Sequence, residues 1–118
     1  MPDPALPSPI ERYFAAKGSE DPEQALACFA EDATVWDNGE DLVLKGIASI
    51  GEWLTGTVTG YRLTYEVKSC ELQGEEFEAG VVVSGDFPGS PYEFAYRFKL
   101  LRDTISELAI DTIGPWTS

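Results

Sequence analysis

From Tyr61 onward the apolar residues of this chain recur at every second position, whereas before it they recur at helical spacing. Tyr61, Leu63, Tyr65 and Val67 alternate with Arg62, Thr64, Glu66 and Lys68. The phase then slips, because Cys70 and Leu72 are the next apolar residues. A slip inside a strand is how a β-bulge shows in sequence, and bulges bend sheets. Gln73-Gly74 turns the chain into a strand with Phe77, Ala79, Val81 and Val83 on one face, and Pro88-Gly89-Ser90-Pro91 breaks it. Tyr92, Phe94, Tyr96, Phe98 and Leu100 then alternate with Glu93, Ala95, Arg97, Lys99 and Leu101, and a last strand covers about Ile105 to Ile113.

The first half carries helix signals. Ser8-Pro9-Ile10-Glu11 predicts a helix start, with Ser8 as N-cap, Pro9 at the first helical position and Glu11 closing a capping box. Ile10, Tyr13, Phe14 and Lys17 share one face of that helix, and Gly18 stops it. Asp21-Pro22-Glu23-Gln24 repeats the start signal, with Ala25, Leu26 and Phe29 as the buried side. Ala33 to Asp37 reads as a short strand ended by the turn Asn38-Gly39. After Gly46, the positions Ile47, Ile50, Trp53 and Leu54 predict a third helix that ends around Gly56. Residues 1–8 read as a flexible Pro-rich arm and 9–118 as a single domain. Helices followed by runs of strand predict an α+β fold with a curved, mostly antiparallel sheet and the helices on one side. A bent sheet covered by helices leaves a concave face, which is where a pocket forms.

Composition narrows the chemistry. The 118 residues include no histidine, so neither a Ser-His-Asp triad nor a histidine-containing zinc site can be built from this chain alone. Acid–base work near neutral pH must come from a carboxylate, tyrosine, lysine or cysteine in a shifted environment. Eight Lys+Arg against 21 Asp+Glu leave a net charge of −13, which opposes nucleic acid and anionic membranes. The longest uncharged stretch, Trp53 to Tyr61, is too short to span a bilayer, and the N-terminus has no signal-peptide pattern. These features predict a cytoplasmic protein with no membrane and no nucleic-acid partner. Cys28 and Cys70 read as two buried free thiols, with a disulfide as the alternative.

Ile10-Glu11-Arg12-Tyr13-Phe14-Ala15-Ala16, and then Ala27 to Asp37, resemble the opening of nuclear transport factor 2-like domains. Lys45-Gly46-Ile47-Ala48-Ser49-Ile50 and Tyr96-Arg97-Phe98-Lys99 fit the same pattern, so the resemblance covers about Pro9 to Ile113. It implies a cone-shaped sheet wrapped around the N-terminal helices, an internal pocket and a homodimer. Function varies within that superfamily, which includes ketosteroid isomerases, polyketide cyclases of the SnoaL type, dehydratases, transport factors and non-catalytic domains.

The resemblance places Asp37 where ketosteroid isomerases hold their general base; an Asp before Asn38-Gly39 also commonly caps the turn. Tyr13 matches the family tyrosine that donates to the substrate oxyanion, and its spacing equally suits a core tyrosine. Phe94 departs from the pattern, since it stands in the register of the second oxyanion donor, a protonated aspartate. Asp111 on the last strand resembles the acid/base aspartate of SnoaL-type cyclases, or is an exposed strand carboxylate. If Asp37 and Asp111 both pointed inward, their repulsion would raise one pKa.

Trp53, Tyr65, Phe94 and Tyr96 are the expected apolar lining, and Arg97 is expected to face a dimer partner or solvent. The acidic pairs Glu20-Asp21, Glu31-Asp32, Glu40-Asp41 and Glu75-Glu76 read as solvated turns, and Asp37 to Asp41 lacks the alternating ligands of a calcium loop. The expectation is a pocket protein without metal or cofactor that binds a small, largely apolar molecule. It is an isomerase- or cyclase-like enzyme moving a proton next to a carbonyl, or a non-catalytic binding or dimerisation module.

Overall fold

The computed structural model describes residues 6–19, 21–58, 63–85 and 90–116. Its elements run α1 (Ser8–Gly18), α2 (Pro22–Leu26), β1 (Phe29–Asp37), β2 (Leu42–Lys45), α3 (Gly46–Val58), β3 (Leu63–Gln73), β4 (Glu76–Gly85), β5 (Tyr92–Leu101) and β6 (Thr104–Pro115). Most of the Pro-rich arm, the Tyr61-Arg62 start of the alternation and the Pro88-Gly89 break lie outside the described residues. The strands form one six-stranded sheet in the order β2-β1-β6-β5-β4-β3. Every pairing is antiparallel except β1 with β6, which is parallel.

Bulges shape the sheet. In β3 the register shifts between Val67 and Ser69, where the phase slip predicts it, so Val67 and Cys70 both face inward. Two further shifts, at Glu93/Phe94 and Lys99/Leu100, each insert one residue into β6, so that Ile105 and Leu108, three apart, both face inward. Gly74 sits at φ 67, a left-handed conformation that carries the turn from β3 to β4 without a Cβ penalty.

Local chemistry explains most of the helices. Asp21 caps α2 by accepting from the Gln24 backbone N–H at 3.2 Å, as expected. The capping box expected at α1 is absent: Pro7 is the N-cap and Ser8 the first helical residue, so the Ser8 side chain has no cap to make. Phe29 is buried, but it opens β1 rather than closing α2. Leu42 to Lys45 is a strand that the apolar spacing leaves unmarked. It pairs with β1 from Asp37↔Leu42 to Thr34↔Lys45, so the Asn38-Gly39 turn that ends β1, as expected, is the loop of a hairpin. Cys28 and Cys70 are free, the first buried and the second half-buried.

The core fills the concave side. Tyr13 and Phe14 from α1 meet Tyr96 and Phe98 from β5, and Phe98 is fully buried with its ring 6.0 Å from that of Tyr96 and 5.8 Å from that of Tyr13. Phe98→Ala is expected to cost about 3–5 kcal/mol, read as a lower urea midpoint, because these rings cannot collapse into the space left. Among the described residues no helix is long and apolar enough to cross a membrane.

Candidate active site

Register places one carboxylate in an apolar row. Asp37 lies opposite Ile110, Ile110 opposite Tyr96, Tyr96 opposite Ala79, and Ala79 opposite Cys70. All five face the helices, and Asp37 is only 9% exposed. Among the described residues its side chain does not cap the turn. Instead Trp53, projecting from α3, donates its Nε1–H to Asp37 Oδ2 at 3.0 Å. Gly39 leaves room beside this group, since a Cβ there would stand 3.0 Å from Thr112 Cγ2 and 3.7 Å from Asp37 Oδ1.

Tyr13 is completely buried, and among the described residues its hydroxyl has no hydrogen-bond partner. Its ring packs edge-on against Phe14, Phe29 and Phe98 and tilts toward Tyr96 at 6.4 Å. Burial holds the hydroxyl well above the usual tyrosine range, and Tyr96, Tyr65 and the Asp37 charge push the same way. Tyr96 is raised by burial, Tyr65 and Asp37, and Tyr65 by burial. All three phenols are therefore neutral donors at physiological pH.

Lys17 completes the cluster, and the apolar spacing of α1 alone does not mark it as functional. It is 5% exposed, with Nζ 5.5 Å from the ring centroids of both Trp53 and Tyr65. Burial lowers its pKa to about 8, against the opposing pull of Asp37. The available signal was a cation four residues after Tyr13 on a face otherwise made of Ile10, Tyr13 and Phe14.

The titration has a testable consequence. Between pH 8 and 10 unfolded Lys17, with a pKa of 10.5, keeps a proton that the folded protein has released. The unfolded state binds more protons there, so stability rises, by about 2 kcal/mol over this window. Above pH 10 the order reverses, because unfolded tyrosines ionise while buried Tyr13 and Tyr96 do not. Urea midpoints should climb from pH 8 to 10 and then fall, and Lys17→Met should flatten the climb.

No protein-family model and no curated protein matches the chain. Solved structures do. A candidate polyketide cyclase from Sinorhizobium meliloti is 29% identical, with 90% of this chain and 95% of that one covered at a TM-score of 0.81. A protein of ketosteroid isomerase-like fold from Catenulispora acidiphila is 18% identical, covering 90% and 85% at a TM-score of 0.79. A candidate ketosteroid isomerase from Kribbella flavida is 12% identical, covering 95% and 80% at 0.76. The chain has the nuclear transport factor 2-like fold.

Within this fold Tyr13, Asp37, Trp53, Tyr65 and Tyr96 come together, with Lys17 added. Phe94 lies one row further along the sheet, opposite Val81 and Thr112, half-buried and 6.5 Å from the Tyr96 ring. Asp111 does not join them. Strand alternation turns Ile110 inward and Asp111 outward beside Ala95. On that outer face Asp111 accepts from Arg97 at 2.6 Å and from Asn38 Nδ2 at 2.7 Å, with 36% of its side chain exposed. Asp37 and Asp111 therefore share no interior. Among the described residues no three His, Cys, Asp or Glu stand together to hold a metal. An open groove of about 550 Å³ between α2 and α3, lined by residues such as Leu26, Gly51 and Thr55, contains none of the clustered groups.

Proposed function

We propose that the protein binds a small, largely apolar carbonyl compound inside the cone and moves a proton on the adjacent carbon, as a cofactor-independent isomerase, cyclase or lyase. The observation that carries this reading is the Tyr13 hydroxyl, buried without a partner among the described residues in the interior that holds Asp37. Such a hydroxyl costs about 1–3 kcal/mol, a cost removed when a ligand oxygen accepts its hydrogen bond. Tyr13 donates to the carbonyl oxygen. Trp53 holds Asp37 Oδ2, which leaves Oδ1 to take the proton from the adjacent carbon. As that C–H bond breaks, its electron pair moves onto the oxygen facing Tyr13, where the hydrogen bond strengthens. Return of the proton to another carbon gives an isomer, and attack of the enolate on a second carbonyl closes a ring.

The solved neighbours support carbonyl chemistry, since they include a candidate polyketide cyclase and a candidate ketosteroid isomerase. Small-ligand binding has a parallel in the Catenulispora protein, which was solved with trimethylamine. The test is deuterium incorporation from D2O into small ring ketones such as cyclohexanone and 2-tetralone, followed by NMR. Exchange faster than in buffer supports the reading, and no exchange with any ketone removes it. One observation favours the second reading, a non-catalytic binding or dimerisation module: Phe94 stands in the row where a second donor would be. That module would bind ligand without exchange.

The reading includes a cytoplasmic homodimer. Val43, 57% exposed, lies opposite Trp36 on the outer face, and Trp36 lies opposite Ala109, an apolar strip that a second copy would cover. Light scattering at micromolar concentration is expected to return about twice the chain mass of 12.9 kDa; a monomer would remove the dimer.

A further inference from the structure

We propose that Lys17 is the second group that receives the negative charge on the ligand oxygen, so that the site holds an enolate or phenolate oxygen between the Tyr13 hydroxyl and the Lys17 ammonium. This rests on the function proposed above and names the electrostatic partner that the Phe94 position does not supply. Lys17 follows Tyr13 by four residues on α1, which brings their Cβ atoms to about 6 Å on one helical face. Both the Trp53 ring from α3 and the Tyr65 ring from β3 lie 5.5 Å from the ammonium.

Charge balance is the physical reason. With a neutral ketone bound, the Lys17 cation balances the Asp37 carboxylate. Once Asp37 has taken the proton, the same cation balances the enolate, and the interior is neutral at both ends of the step. Without Lys17 a buried negative charge would persist throughout, in a chain already at −13. A methionine would pack as well among these rings without the cost of desolvating a cation. Among the described residues the titratable groups that act on Lys17 include Asp37 from β1 and Tyr65 from β3. Loss of the Lys17 proton near pH 8 ends the balance with Asp37. The kcat/KM for proton exchange should fall above that pH.

The experiment uses 4-nitrophenol, whose ionised form is coloured, titrated against the intact protein. Wild type should bind it as phenolate at pH 7 and lose affinity between pH 7 and 9. Lys17→Met should bind about 10- to 100-fold more weakly, the range expected for losing a charge-assisted contact. Lys17→Arg should keep the pH 7 affinity within about 3-fold and lose the pH dependence, because guanidinium does not titrate there. The inference is overturned if folded Lys17→Met binds phenolate as wild type does, if Lys17→Arg abolishes binding, or if wild type binds only neutral phenol or none. Ketone exchange reads the other question. Wild-type exchange that persists in Lys17→Met removes the Lys17 role and leaves the proposed function standing. Phenolate binding without any exchange does the opposite.

Discussion

Asp37→Asn is expected to lower ketone proton exchange by about 10²–10⁴, the usual contribution of a positioned general base. Asparagine keeps the volume, and its amide oxygen can still accept from Trp53 Nε1, but it cannot take a proton. Loss of this charge also leaves Lys17 buried without the carboxylate that opposes its desolvation. Lys17 can shed its proton, which limits the damage to stability. Urea midpoints of wild type and Asp37→Asn should differ at pH 7, where wild-type Lys17 is charged, and converge to within about 1 kcal/mol at pH 9. Undiminished exchange in the variant would remove Asp37 from the chemistry, whatever its effect on stability.

Tyr13→Phe is expected to move activity and stability in opposite directions. Loss of one oxyanion donor typically lowers turnover by about 10²–10³. The same change deletes a buried hydroxyl that has no partner among the described residues, while the ring keeps its packing against Phe14, Phe29 and Phe98. The free protein should therefore gain about 1–2 kcal/mol, seen as a higher urea midpoint. A tyrosine retained only for packing would leave turnover unchanged. A variant less stable than wild type would mean that the hydroxyl is satisfied in the folded protein, and the observation behind the proposed function would fail.

Several features were readable in advance because neighbours in the chain set them. The two-residue period of Tyr92 to Leu100, the Val67/Cys70 slip and the Gln73-Gly74 turn each follow from a few adjacent side chains. So does the Asp21 cap. β2 was not readable, since Leu42 to Lys45 is too short to show a period and gains its identity from pairing with β1. The bulges of β6 leave a trace like that of β3, because the extra residue at Ser106 moves the inward face from Ile105 to Leu108 and Ile110.

The candidate site divides the same way. The sequence by itself determined the α+β class, the need for chemistry without histidine, and that Tyr13 and Lys17 share one helical face. Only the tertiary structure decided which carboxylate enters the interior. Asp37 and Asp111 both follow apolar-rich strand patterns, and a one-residue difference in phase turns one toward the helices and the other toward Arg97. Tertiary structure also joined Trp53 to Asp37 and brought Lys17 to both the Trp53 and the Tyr65 ring. The physical reason is range. Period, turn and cap are fixed by interactions a few residues long, whereas these juxtapositions depend on strand register and helix docking across most of the chain.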